Sequence, residues 1–246
     1  MKLGVLLCDH VQTALQEEFG DYIDMFEQAI KVVDNTASIS FFSVVDGHFP
    51  DNIDECDVYM ATGSKASVND GLPWIDALER FIWQLFLAKK AFVGICFGHQ
   101  MIAKALGGKV ACSQKGWGIG VSTAIVHVHK QWMGEMKEEL KLVVSHKEQI
   151  TQLPPEAEVL MGNAFCPNGM IQVGEHFLGL QGHPEFSRAY CYALMHSRKD
   201  IIGKDNFQKG LNSLVLPVDD ALTMTWILNF LKASLTLNVG SKRSGS

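Results

Sequence analysis

The sequence predicts an α/β protein in which a mostly parallel sheet carries helices on its faces. Two observations predict it. Short apolar runs alternate with amphipathic stretches of helical period through the first part of the chain, and one such run leads straight into a glycine-flanked turn followed by another helical stretch. The first apolar run is 3–8, and 22–33 follows as an amphipathic helix. Runs 39–45 and 58–61 read as the next strands. Stretch 74–89 places Ile75, Leu78, Ile82 and Leu85 at helical spacing, and 91–95 is a short strand leading into a helical run at 101–106. The order β-α-β-β-α-β argues for parallel pairing.

After Gly107-Gly108 the pattern changes to strand-like runs at 121–129, 140–144, 159–161, 170–173 and 177–180, from which a smaller antiparallel β element is expected. Helices return at 186–198 and 219–231. Neither a repeat nor a linker divides the chain, so residues 1–236 are expected to form one domain. Residues 237–246, small and polar at their end, are expected to form a disordered tail.

Composition narrows the function. With 246 residues, 47% of them hydrophobic, the chain can bury a sizeable core. A net charge of −6, with Lys and Arg scattered, supplies no basic field for a phosphate backbone, so nucleic acid is not an expected partner. No apolar run reaches the roughly 20 residues that span a bilayer, and a cytoplasmic protein without a membrane partner is expected. Six cysteines, at 8, 56, 96, 112, 166 and 191, form no CxxC pair and read as reduced thiols.

Only Cys96 has a context that demands chemistry. In Gly94-Ile95-Cys96-Phe97-Gly98 an apolar strand turns sharply into a helix, the nucleophile-elbow arrangement with cysteine in place of serine. Side chains at positions 94 and 98 would collide with neighbouring backbone, which gives both glycines a mechanical reason. The helix starting after Cys96 aims its N–H groups and positive dipole end at the sulfur, favouring thiolate, and the Phe97 N–H is placed to receive an oxyanion.

The second element is Gln181-Gly182-His183-Pro184-Glu185, which follows run 177–180 and so puts His183 at a strand end. Pro184 restrains the backbone so that His183 and Glu185 can point the same way, and a carboxylate beside an imidazole fixes its tautomer and stabilises the imidazolium. His127 and His129 lack a carboxylate or cysteine to complete a ligand set, so no metal is expected.

Gly94-Ile95-Cys96-Phe97-Gly98-His99-Gln100 together with Gly182-His183-Pro184-Glu185 resembles the class I glutamine amidotransferase family over roughly residues 40 to 200. The resemblance implies a flavodoxin-like open sheet and a Cys-His-Glu triad, with Cys96 as nucleophile, His183 as general base and acid, and Glu185 as its orienter. It implies no cofactor. Met60-Ala61-Thr62-Gly63-Ser64-Lys65 matches the family loop that supplies a second oxyanion-hole N–H, from Gly63 or Ser64. That loop departs from the glycine-rich run of most members and looks more like the stand-alone branch that includes plant γ-glutamyl peptidases. Gln100 resembles the family glutamine at the substrate's amino-acid end. Trp117, in Gly116-Trp117-Gly118, either walls the substrate pocket or fills the core. His146, in Ser145-His146, is structural or substrate-adjacent rather than catalytic, since His183 already has its carboxylate.

The resemblance therefore implies an enzyme that removes the γ-amide of glutamine or of a γ-glutamyl compound. Three functions compete: a self-sufficient hydrolase or transpeptidase, a glutaminase subunit feeding ammonia to a separate synthetase partner, and a non-catalytic regulatory protein. The sequence shows no GxxxxGK[ST] phosphate loop of a synthetase domain; the stand-alone length and the departure at Thr62-Gly63-Ser64 favour the first function over the second, and the intact Cys96, His183 and Glu185 argue against the third.

Overall fold

The computed structural model describes the backbone of residues 1–243 and the side chains of residues 1–236. The expected tail at 237–246 lies outside the residues whose side chains are described.

Eleven strands and eight helices form in the described residues. The parallel half is built from β1 (Lys2–Leu6), α1 (Thr13–Phe19), α2 (Tyr22–Val33), β2 (Ser38–Phe42), β3 (Val58–Ala61), α3 (Pro73–Leu87), β4 (Phe92–Ile95) and α4 (Phe97–Ala105). The chain then passes through β5 (Lys109–Cys112), β6 (Gly118–Val126), β7 (Glu139–His146), β8 (Glu148–Gln152), β9 (Ala157–Gly162) and β10 (Met170–Val173). It returns as β11 (Phe177–Leu180), α5 (Arg188–Ser197), α6 (Lys199–Ile202), α7 (Lys204–Ser213) and α8 (Asp220–Arg243).

Nine strands make one sheet in the order β2-β1-β3-β4-β11-β10-β9-β6-β7. The first five are parallel, and the last four continue the sheet antiparallel. The architecture is a flavodoxin-like open sheet, as the sequence implies. The smaller antiparallel element is a two-stranded sheet of β5 and β8, stretches that apolar pattern does not mark because β5 buries only Val110. The strand-like runs after Gly108 extend the main sheet instead.

Side chains alternate across the parallel strands with period two, and each face has its own core. Val58, Met60, Val93 and Ile95 join Phe26, Ile30 and Ile227 of α2 and α8 on one face. Tyr59, Ala61 and Phe92 join Ile75, Leu78 and Met101 of α3 and α4 on the other. Fully burying each such side chain contributes about 1.5–3 kcal/mol, so both helix layers are held by apolar area. Register pairs Leu6 with Ala61 and Leu180 with Ile95, so β1, β3, β4 and β11 end together on one edge. That carboxyl edge is where open α/β sheets place their sites.

Asp21 fixes the start of α2 and the loop before it. Its carboxylate accepts from the N–H groups of Tyr22 and Val11 at 2.8 Å and faces His10 Nδ1 at 2.9 Å. Partial burial pushes the Asp21 carboxyl up, but the Val11, His10 and Tyr22 hydrogen bonds outweigh it and hold it below 3.8. A depressed carboxyl contributes stability above its unfolded value and loses it as pH falls through the folded one. His10 is raised above 6.5 by Asp21 and Asp46, so its share is present below that value and lost as pH rises. Asp21→Ala should therefore lower unfolding free energy by about 1–2 kcal/mol. Urea unfolding should show the largest gap at about pH 5–6, where both charges exist, and a smaller one in strong acid.

Candidate functional site

Cys96 caps the amino end of α4 in a left-handed conformation, φ 50° and ψ −96°. A non-glycine residue there is strained, and neighbouring hydrogen bonds fix it. The Cys96 N–H donates to Leu180 O at 2.8 Å and the Gly98 N–H to Thr62 O at 3.2 Å, tying the turn to β11 and to the loop after β3. The glycines are needed sterically. A Cβ at Gly94 would lie 2.3 Å from the Gly98 backbone, and one at Gly98 would lie 2.7 Å from Ala61 O.

His183 sits just beyond β11, its N–H donating to Val143 O at 2.8 Å. Its ring is buried, and Nδ1 lies 2.7 Å from Glu185 Oε1, whose side chain is 0% exposed. A carboxylate only accepts, so Nδ1 is the donor and Nε2 is left for the neighbouring Cys96 group. Burial pulls the His183 pKa down, but the Glu185 charge, the Cys96 group and the two hydrogen bonds outweigh it and hold it above the ordinary value.

The structure thus brings Cys96, His183 and Glu185 together, as the sequence pattern expects. Gly63 joins them, since a Cβ there would meet His183 Cε1 at 2.9 Å and Cys96 Cβ at 3.6 Å. The N–H groups of Gly63 and Ser64 have no acceptor among the described residues, whereas the next, Lys65, donates to Asp9 Oδ2 at 2.7 Å. Phe97 opens α4, in the turn whose N–H groups lack intrahelical acceptors.

A cavity of about 620 Å³ opens over Cys96, with Ser64, Phe97, Gln100, Trp117 and His146 in its wall. Gln100 faces it with both amide hydrogens engaged, donating to Glu148 O at 2.9 Å and Gln181 Oε1 at 3.2 Å. His146 closes β7. Its Nδ1–H donates to Glu148 O at 3.0 Å, and burial lowers its pKa to about 4, so the ring is neutral. His127 and His129 lie past the end of β6, and His129 Nε2 is 3.2 Å from Glu135 O.

Several residues at the site escape sequence reasoning. Gln181 Nε2 donates to Cys96 Sγ at 3.4 Å, placing a dipole against the sulfur. Phe186 lies flat on the His183 ring, with centroids 4.0 Å apart and planes 2° from parallel. Adjacency to the Gly-His-Pro-Glu element is the one signal the sequence carries for either. Arg198 reaches the cavity from the end of α5 and donates to Ser145 Oγ at 3.2 Å. Glu148 faces the same space, accepting from Ser67 Oγ at 2.7 Å. Among the described residues neither Arg198 nor Glu148 makes an ion pair.

The sheet and its carboxyl-edge site define a flavodoxin-like α/β protein. Within that class the chain belongs to the class I glutamine amidotransferase family, whose profile, described as "Glutamine amidotransferase class-I", matches residues 63–190. It is similar to gamma-glutamyl peptidase 3 of Arabidopsis thaliana, 29% identical over 189 residues that cover 74% of this chain and 75% of that protein. A shorter match, 35% identical over 97 residues, covers 38% of the chain and 50% of a glutamine-hydrolyzing GMP synthase subunit of Pyrococcus abyssi. A solved glutamine amidotransferase from Thermotoga maritima shares the fold with a TM-score of 0.71 and 20% identity, covering 95% of this chain and 97% of that one. Among the described residues no helix is long and apolar enough to cross a membrane.

Gly63→Ala tests how closely the loop sets the imidazole. The new methyl must displace His183, and an error of about 1 Å in a reacting group costs ~100-fold in rate. Amidase assays should show that order of loss in kcat/KM, while the far-ultraviolet dichroism spectrum stays that of the wild type.

Proposed function

We propose that the protein is a cysteine amidase that hydrolyses, or transfers, the γ-glutamyl group of γ-glutamyl compounds through a thioester. The observation that carries this reading is the buried His183–Glu185 pair, 2.7 Å apart, with Cys96 beside the imidazole across Gly63.

The reaction follows from the positions of these groups. His183 Nε2 takes the Cys96 thiol proton, and the sulfur attacks the γ-carbonyl carbon to form the C–S bond. The oxygen gains a negative charge that the Phe97 N–H and the Gly63 or Ser64 N–H receive as hydrogen-bond donors. As the intermediate collapses, the C–N bond breaks and His183 returns the proton to the leaving amine. Water, deprotonated by His183, then attacks the thioester carbon, and the C–S bond breaks to release the free γ-carboxylate and the thiol. Glu185 holds the tautomer and stabilises the imidazolium throughout. Gln181 is placed to hold negative charge on the sulfur.

The cavity supports a glutamyl specificity. Arg198 and Glu148, of opposite sign and without an ion-pair partner among the described residues, offer a partner for an α-carboxylate and an α-ammonium respectively, with Gln100 and Trp117 completing the wall. The match to a γ-glutamyl peptidase favours a substrate whose amine side varies. The match to a GMP synthase component supports the second reading, a glutaminase whose ammonia goes to a separate synthetase.

Cys96→Ala should abolish activity with the fold retained, since losses of a hundredfold or more accompany removal of a nucleophile. A glutamine-mimicking electrophile should label Cys96 and none of the other five cysteines, as read by peptide mass spectrometry. His183→Ala should be nearly inactive. Glu185→Gln should keep partial activity, but without the carboxylate charge the imidazole's pKa drops, so the basic limb of its kcat/KM–pH profile should move to lower pH. A larger loss from Glu185→Gln than from His183→Ala would overturn the assigned roles.

A substrate panel separates the readings. Matched amides lacking the α-amino group or the α-carboxylate should react up to ~10⁴-fold more slowly, because a site built to pair those groups is left unsatisfied. Changes in the amine part should cost only about 1–3 kcal/mol. Arg198→Gln should narrow the gap for the compound lacking the carboxylate, and Glu148→Gln the gap for the one lacking the amine. Strict preference for free glutamine, or turnover only with an added synthetase, would select the ammonia-supplying reading.

A further inference from the structure

A second cavity, of about 410 Å³, lies behind the first and has no part in the reaction above. Its floor is apolar, formed by Val121, Ala124, Leu140, Leu142 and Met161 from the antiparallel half of the sheet. That volume is within the range of about 300–1,000 Å³ typical of small-molecule sites. Several of its polar groups are spent within the protein. Asn163 is fully used, with Nδ2 on Ser122 Oγ and Thr123 O and Oδ1 accepting from Phe165 and Cys166 N–H, so it is scaffold.

Besides the Asn206 amide, two polar features are placed for an occupant. Lys209 stands exposed in the wall and has no anionic partner among the described residues, while Lys115 beside it is tied to Ala164 O. His146 spends its Nδ1–H on Glu148 O, which leaves Nε2 as an acceptor. Nε2 points toward Gly118 and Phe165, both in this second cavity: a Cβ on Gly118 would lie 3.0 Å from Nε2 and 2.6 Å from the Phe165 ring. Apolar floor, free ammonium and buried acceptor together describe a small acid with an apolar body and one N–H or O–H donor.

The second cavity is also coupled to the first. Trp117 and His146 stand in the walls of both. Gln181 lines the second cavity while its amide donates to Cys96 Sγ and accepts from Gln100. An occupant pressing on Gln181 or His146 would therefore act on the sulfur and the glutamyl wall through one side chain.

We propose that this second cavity is a regulatory site for a small apolar carboxylic acid, and that its occupancy changes the efficiency of the reaction over Cys96 through Trp117, His146 and Gln181. The coupling half rests on the proposed reaction; the binding half does not.

Indole-3-propionate is a suitable probe, since it carries an apolar body, a carboxylate and an N–H donor. Calorimetry should show one saturable site on the wild type, at least tenfold tighter than for the neutral alcohol indole-3-propanol. Ala124→Phe, which fills the floor, should weaken the acid at least tenfold, and Lys209→Gln at least threefold. Both variants should turn over a γ-glutamyl anilide like the wild type when no probe is present. Capping Cys96 with the glutamine-mimicking electrophile should leave acid binding within threefold, and saturating acid should change wild-type kcat/KM at least twofold but that of Ala124→Phe not at all. Loss of acid binding on capping would place the probe in the reaction cavity and overturn the proposal. So would equal affinity for acid and alcohol, absence of saturable binding, or indifference to both substitutions. Binding without any change in turnover would overturn the coupling. If Ala124→Phe does not fold, the exposed Lys209→Gln decides the binding half alone. An enzyme inactive on every γ-glutamyl compound would sink the proposed reaction and leave the calorimetric result standing.

Discussion

The rest of the site depends on one strained residue. Cys96 occupies a backbone region that side chains avoid, and it stays there because its own N–H is held by β11 and that of Gly98 by the loop after β3. Those two hydrogen bonds reach across the carboxyl edge from different strands. They place α4 so close to β3 and β4 that hydrogen is the only side chain positions 94 and 98 admit. In the same step they set the sulfur beside the strand end that carries His183. Strain, close packing and juxtaposition of reactive groups are thus one arrangement seen at three scales.

Burial gives the histidine its character. An isolated imidazole in a dry site is driven toward neutrality, as His99 shows: fully buried, its pKa falls to about 3. His146 follows the same rule. His183 is as buried as either and goes the other way, because Glu185 lies 2.7 Å from Nδ1 and the Cys96 group lies on its other side. The Glu185 carboxylate makes its one hydrogen bond to the imidazole, its Oε2 having no partner among the described residues. Phe186, stacked flat beneath the ring, stops it from rotating away, so packing fixes the orientation that the charge requires.

What could be read from the sequence was what depends on local pattern. The helix at 22–33 and the strands at 58–61, 170–173 and 177–180 fall where periodicity puts them, and both site motifs show because chemistry forces unusual residues into fixed spacing. Contacts made between distant segments stayed hidden. Helix α7 has no marked apolar stripe, burying only Phe207 and Gly210, and β8 buries Ile150 alone. Gln181 was visible as a letter, but nothing in its neighbours says that its amide reaches the sulfur of a residue far earlier in the chain. Gln100 shows the reverse case: the resemblance points it at substrate, and the fold commits both its amide hydrogens to Glu148 and Gln181.

Helices α6 and α7, which pattern did not mark, also lie outside the family's common part. The family profile ends at residue 190, within α5, so Arg198 at the end of α5, Ile201 of α6 and Asn206 and Lys209 of α7 lie beyond it. These residues face the two cavities, Arg198 and Ile201 the one over Cys96, Asn206 and Lys209 the one behind it. A family can keep its elbow and its His-Pro-Glu element on a rigid sheet edge while the outer walls change, because the wall helices rest on the sheet without supplying its hydrogen bonds. On the proposed reaction, bond breaking then belongs to the rigid edge formed by β3, β4 and β11. The choice of what is cleaved, and under what control, belongs to the segment from α5 to α7, which Arg198 attaches to the site through Ser145.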